Sequence, residues 1–241
     1  MIKKRNFIHQ NIKYSFNWNI RNYLEKMNQL ESNREELKKL GIYLKHIYEG
    51  SLVPNDIFNT QNIPRVSQFK IRGLKNAFLT SLSKKLIRAG KIKKSDSNSK
   101  FPRYVQKVYE SYNKNQINRK PGHDSVLKNI LIKDKDSIAI EVPIWKKINN
   151  SYITGHIDLI QIKDNVIKII DYKPEGNFLF SLPQVATYGF LVKKALKLRH
   201  LKCLSFNNEE VWEYDPNILL TDIKQYLISH KIKKRSWELF L

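Results

Sequence analysis

The stretch YITGHIDLIQIKDNVIKIIDYK, residues 152–173, holds two apolar runs separated by Lys163-Asp164-Asn165. Isoleucine-rich runs bounded by turn residues read as strands, and a short polar break between them reads as a hairpin. The expected strands are 152–162 and 165–173. The second run ends oddly: Val166-Ile167-Lys168-Ile169-Ile170 gives way to Asp171, Tyr172 and Lys173. Side chains alternate faces along a strand, so Asp171 and Lys173 point one way and Tyr172 the other. A buried strand gains nothing by closing on two opposite charges. On the first strand, Thr154, His156 and Asp158 share a face, opposite Ile153, Ile157 and Leu159. Closing the hairpin brings Asp158 and Asp171 together near one end of the sheet.

A third expected strand, SIAIEVPIW at 137–145, carries Glu141 between Ile140 and Val142. Carboxylates that converge at a sheet edge repel one another, and a divalent cation among them relieves the repulsion. Oxygen donors favour Mg²⁺ or Mn²⁺ over zinc. Lys173 then has a task beside such a cation, holding a water or offsetting charge on a phosphate. Taken alone, Asp171 and Lys173 are explained as well by a surface ion pair at a strand end.

Outward from this stretch, helices are expected at about 102–114, 122–132, 182–198 and 216–230, with strands at 201–206 and 210–214. The order from residue 101 is helices, a three-strand meander, helix, strand, helix. That is an α/β fold with a mixed central sheet flanked by helices. The first hundred residues read differently, as a basic and mostly helical region. Leu24, Met27, Leu30, Leu37, Leu40, Leu44 and Ile47 recur at helical spacing over 20–49, and Gly50 and Pro54 end the run. Residues 66–89 read as one or two more helices, and 91–100, KIKKSDSNSK, as a polar linker. The phrase LSKKLIRAGKIKK has the outline of a helix-turn-wing DNA reader; a basic helix and a turn explain it equally. Two domains are therefore expected: 1–100, a basic nucleic-acid-binding module, and 101–241.

The chain has 44 Lys and Arg against 22 Asp and Glu, a net charge of +22, and residues 1–100 alone carry +14. A polyanionic partner, nucleic acid, is the direct reading. A Lys- and Asn-rich composition from an AT-rich genome accounts for part of the excess. The single cysteine, Cys203, excludes disulfide frameworks, zinc fingers and cysteine-ligated iron–sulfur clusters within one chain. The residues contain no apolar run of about 18 and no secretory leader. An intracellular place, cytoplasm or nucleoid, is expected, with organellar targeting left open.

The ordered set GHIDLI, then DYK thirteen positions after Asp158, then QVATY at 184–188 resembles the PD-(D/E)XK nuclease superfamily, in its RecB-like exonuclease branch. The matching positions are His123, Glu141, Gly155 to Asp158, Asp171-Tyr172-Lys173, and Gln184 to Tyr188, spanning about residues 120–195. The resemblance implies a restriction-endonuclease-like core and an Mg²⁺- or Mn²⁺-dependent deoxyribonuclease that hydrolyses phosphodiester bonds, acting on ends or single strands. It implies that Asp158 and Asp171 ligate the metal, with His123 through its imidazole and Tyr172 through its carbonyl. Lys173 would position the attacking water, and Glu141 would stand at the edge of the site. Gln184 and Tyr188, four apart on one helix face, would contact the substrate backbone or brace Lys173. The chain departs from the pattern in having Ile157 before Asp158 in place of proline. With a single cysteine it cannot hold the iron–sulfur cluster of some relatives, and nothing resembles a GxxxxGK[ST] phosphate loop.

His156 fits either a group supporting Asp158 or plain packing on the sheet. Tyr172, Phe178 and Phe180 fit either core packing or stacking on bases, and Trp145 fits the core. Gly176 fits a turn or a close approach of nucleic acid to the backbone. Other functions consistent with these residues are a structure- or sequence-specific endonuclease and a non-catalytic nucleic-acid-binding scaffold. A protein partner or oligomer is left open.

Overall fold

The computed structural model describes residues 1–29, 34–149 and 151–241. The chain opens with a hairpin, β1 (Ile2–His9) and β2 (Ile12–Asn19). Gln10 and Asn11 turn it with φ of 49° and 66°, the left-handed pair that matches strand twist. Four helices follow: α1 (Ile20–Gln29), α2 (Arg34–Glu49), α3 (Asn55–Asn59) and α4 (Asn76–Arg88). Next come β3 (Ile92–Ser95), α5 (Lys100–Lys114) and α6 (His123–Lys133). The meander is β4 (Ser137–Ile148), β5 (Ser151–Lys163) and β6 (Val166–Tyr172). The chain closes with α7 (Phe178–Leu196), β7 (Leu201–Phe206), β8 (Val211–Tyr214) and α8 (Asp222–Ser229).

The strands of the described residues join one eight-stranded sheet in the order β1-β2-β4-β5-β6-β7-β8-β3. Among the described strands only β6 and β7 run parallel to each other, and a parallel pair needs a crossover, which α7 provides. The mixed sheet flanked by helices agrees with the sequence. Adjacent residues of β6 fall into different apolar clusters: Ile167 and Ile169 lie in a larger one with Leu182, Val185 and Ala186 of α7. Ile170 and Tyr172 lie in a smaller one with Val105 of α5 and Leu127 and Ile130 of α6. Helices therefore cover both faces of the sheet at β6. No helix among the described residues is long and apolar enough to cross a membrane.

The first hundred residues are mostly helical only in part. They also supply three strands, and these form both edges of the sheet that residues 101–241 build. β2 pairs with β4 through Asn17↔Ile140 and Trp18↔Ala139, and β3 pairs with β8. The expected linker at 91–100 contains β3, where Ile92 is buried and Lys93 and Lys94 face solvent. Lysines on a short edge strand guard against further pairing, and they gave this strand the look of a linker. The single helix expected over 20–49 is two, α1 and α2; Leu30 lies outside the described residues. The one or two helices expected over 66–89 are a 3₁₀ turn at Val66–Gln68 and α4, with Gly73 at φ 84° between them. The last expected helix splits at Leu220-Thr221 into a 3₁₀ turn, Pro216–Leu219, and α8.

Candidate active site

The Asp164-Asn165 turn has φ of 52° and 61°, and it sets the β5–β6 register at Lys163↔Val166. The ladder continues to Leu159↔Ile170, which makes Asp158 and Asp171 the next opposed residues. They do not pair through their backbones. Asp158 turns its carboxylate into the gap, where Oδ2 accepts the Tyr172 N–H at 2.9 Å. β6 meanwhile holds to β7, through Asp171↔Ser205 and Tyr172↔Phe206, and the Lys173 N–H donates to the Phe206 carbonyl at 2.9 Å. Two strands part beside a third that stays paired, and this sets the two aspartates side by side on a fixed backbone.

Lys173 Nζ stands 3.0 Å from Asp171 Oδ2 and donates to Gln184 Oε1 at 3.2 Å. Gln184 Nε2 donates in turn to Asp171 Oδ1 at 3.1 Å. Asp171 is 1 % exposed, and its Oδ2 faces Lys173 as an ion pair without accepting a well-aligned hydrogen bond. Gln184 and Tyr188 are both buried. Gln184 thus bonds both Lys173 and Asp171 from a buried position.

Tyr188 lies across Gly155, and the His156 N–H meets its hydroxyl. A Cβ on Gly155 would sit 2.5 Å from the Tyr188 ring. This explains the glycine of the Gly155–Asp158 segment by close packing of α7 on β5. Gly155→Ala should therefore lower the melting temperature, by about 1–3 kcal/mol in stability for overpacking, read by thermal unfolding of the two proteins side by side.

Glu141 lies between the pairs Ile140↔Leu159 and Val142↔Ile157, yet its φ is +51°. A left-handed non-glycine residue inside a strand is strained, and strain of this kind gathers at functional sites. At this irregularity Leu159 parts from Ile153 and Ile157: it packs in the smaller cluster and they pack in the larger, against the single face expected for all three. Burial pushes the Glu141 carboxyl up to about 8, helped by Asp158, Asp124 and Asp171 and opposed by Arg65. Burial and then Asp158 push Asp171 up to about 7, against Lys173 and His123. Burial likewise raises Asp158, against Lys173 and the Tyr172 N–H. Each carboxyl is thus raised first by burial, and Asp158 and Asp171 bear on Glu141.

His123 opens α6, with Nδ1 3.6 Å from Asp158 Oδ2 and its ring 5.0 Å from that of Tyr172. Burial lowers its pKa; Asp171 opposes the shift and Lys173 adds to it. The imidazole is then neutral at pH 7, the form in which it donates a lone pair to a metal. Buried carboxylate oxygens beside a neutral imidazole fit a hard divalent cation in kind. As they stand, no three His, Cys, Asp or Glu side chains among the described residues are gathered into a metal-holding group.

The structure separates the residues that the sequence left open. Tyr172 and Phe178 are buried, the latter edge-on to Trp212, so neither offers a face to a base; Phe180 is exposed. His156 turns away from the aspartates into the N-terminal hairpin, with Nε2 2.6 Å from His9 Nδ1 and its ring 3.8 Å from that of Tyr14. Trp145 is half-buried against Phe58. Sequence reasoning missed Arg65. A backbone bridge from Arg65 to Thr154 brings it to β5, where its guanidinium donates to the Tyr14 hydroxyl and bears on Glu141. Nothing in its neighbourhood of the sequence, NIPRVSQ, marks it.

No family model matches the chain, and no curated protein matches its sequence. Among solved structures the chain is similar to one described as the crystal structure of SSO0001, with 14 % identity over 71 % of this chain and 98 % of that one. The TM-score of 0.27 is too low for that likeness to speak to fold or function.

Proposed function

We propose that this chain is a metal-dependent DNA nuclease with a restriction-endonuclease-like core, hydrolysing phosphodiester bonds at ends or in single strands. The observation that carries the reading is the pairing of Asp158 and Asp171 at the point where β5 leaves β6, with Lys173 and Glu141 upon them. Burial raises all three carboxyls, Asp158 adds to the shift of Asp171, and both add to that of Glu141, an arrangement that costs stability and serves a cation site. Asp158, Asp171 and His123 would hold the cation, with the Tyr172 carbonyl completing the protein's share. Bound Mg²⁺ or Mn²⁺ would supply Lewis-acid charge beside the phosphate.

The chain's own residues do the rest. Burial opposes the charge of Lys173, but Asp171 and Asp158 outweigh it and hold the ammonium above the ordinary lysine range. Lys173 is therefore a fixed cation, held by Gln184 and Asp171, that orients a water and offsets charge gathering on the phosphate. Glu141 receives a proton or orients the same water. The net charge of +22 draws the DNA backbone without reading its sequence.

The test uses labelled linear single-stranded, linear duplex and closed circular DNA, each with Mg²⁺, Mn²⁺ or EDTA. Loss of the linear substrates alone, stopped by EDTA, is the expected result. Cutting of the circle would move the reading to an endonuclease. No cutting of any substrate with either metal would leave a binding scaffold.

A further inference from the structure

Beside Lys173 a cavity of about 540 Å³ opens between the segment before α4 and the start of α7. That volume falls within the roughly 300–1,000 Å³ of ligand sites. Lys70 and Asn76 line one wall, and Lys173, Gly176, Asn177 and Phe180 the other. The walls are tied together, because the Ile71 N–H donates to the Phe180 carbonyl at 3.0 Å.

Phe180 is 38 % exposed, although its neighbours Phe178, Leu179 and Leu182 are buried. Lys70 Nζ stands 5.6 Å from the centre of its ring. An aromatic face and an ammonium are thus held together next to Lys173. Gly176 has φ +95°, and a Cβ there would meet nothing within 4 Å, so the backbone leaves the cavity open. Glu175 is the one carboxylate on the lining, and Lys120 pairs with it at 3.1 Å.

We propose that this cavity is a stacking subsite for one unpaired nucleobase, with the base on Phe180, its neighbouring phosphate on Lys70 and the next phosphate at Lys173. The last of these contacts rests on the nuclease reading; the first two do not. An exposed ring with a cation beside it suits a strand of any sequence, since every base has a π-face. A paired base is sandwiched between its neighbours and cannot reach such a ring, so the subsite selects unpaired strands. The basic character of the chain and the two lysines on the lining complement this polyanion.

The test is binding by fluorescence anisotropy in EDTA, where nothing is cut. The probes are labelled oligo-dT, a strand of equal length made wholly of abasic residues, and a blunt duplex. The proteins are the full chain, Phe180→Ala, Phe180→Trp and Lys70→Ala. Phe180→Ala should weaken oligo-dT binding about tenfold and leave the abasic strand and the duplex unchanged. Phe180→Trp should keep the affinity, and Lys70→Ala should weaken both single strands. The proposal is overturned if Phe180→Ala leaves oligo-dT unchanged, if it weakens the abasic strand equally, or if the full chain binds none of the probes. Stacking without cleavage in Mg²⁺ or Mn²⁺ would keep the subsite and remove the nuclease. Cleavage of oligo-dT indifferent to Phe180 would do the reverse.

Discussion

Lys173→Ala should slow metal-dependent DNA cleavage by at least about 100-fold, the loss expected when a preorganised charge is removed from a reacting group. The expectation comes from how the ammonium is held. Lys173 Nζ has Asp171 on one side at 3.0 Å and Gln184 on the other at 3.2 Å, and Gln184 is itself fixed to Asp171. Its backbone is fixed as well, by the bond from its N–H to the Phe206 carbonyl. A cation fixed at both ends reorganises little as charge builds up on a phosphate. Lys173→Arg should not restore the rate, because a planar guanidinium cannot replace a compact ammonium between these two partners. The measurement is initial rate on labelled linear DNA under saturating Mn²⁺, with thermal unfolding of each variant beside it. Retention of more than a tenth of the rate by Lys173→Ala would remove Lys173 from the reaction.

The strands carrying these residues were legible because they are buried on both faces and therefore apolar throughout. The 201–206 strand needed no adjustment, and the β5–β6 turn was marked by Asp-Asn. The aspartate pair followed from the hairpin: the break expected at Lys163-Asp164-Asn165 closes as a two-residue turn between Lys163 and Val166, which leaves Asp158 opposite Asp171. The N-terminal hairpin was not legible. In β1 only Phe7 and His9 are buried, and Lys3, Lys4 and Arg5 break up the alternation that marks a strand. Its place depends on contacts with β4 more than a hundred residues away, which local pattern does not record. Arg65 was hidden for the same reason, since only tertiary pairing brings it to β5. The strain at Glu141 has no signature either, because a left-handed backbone at a glutamate is imposed by its surroundings. Burial of Gln184 and Tyr188 likewise follows from α7 being sunk between other layers, and a helix apolar nearly all round gave no face to choose.

Glu141→Gln should lower the cleavage rate about 100-fold and yet raise the melting temperature at pH 8. The two effects have one cause. The Glu141 carboxyl is pushed up to about 8 in the folded chain, first by burial and then by the neighbouring aspartates. An unfolded glutamate ionises near 4.3. Between these values the folded state binds the extra proton, so stability falls as pH rises. What Glu141 contributes is fully present below the unfolded value and is lost as pH climbs through about 8. Glutamine carries no charge to bury and escapes the loss. The gain should be on the order of 1–2 kcal/mol at pH 8, trimmed by partial exposure of the side chain, or about 2–4 °C per kcal/mol for a chain of this size. At pH 4 the gain should vanish. Glu141→Gly separates charge from backbone strain, because it removes the carboxyl and also suits φ +51°. Its stabilisation should therefore persist at pH 4, where that of glutamine has gone. Thermal unfolding of the three proteins at pH 4 and pH 8, with rates measured at pH 8, decides the matter. A glutamine variant that is less stable at pH 8 would mean that Glu141 is a structural carboxylate held by Arg65. A more stable but slower enzyme would mean that the fold keeps a strained, partly buried acid because the reaction needs it.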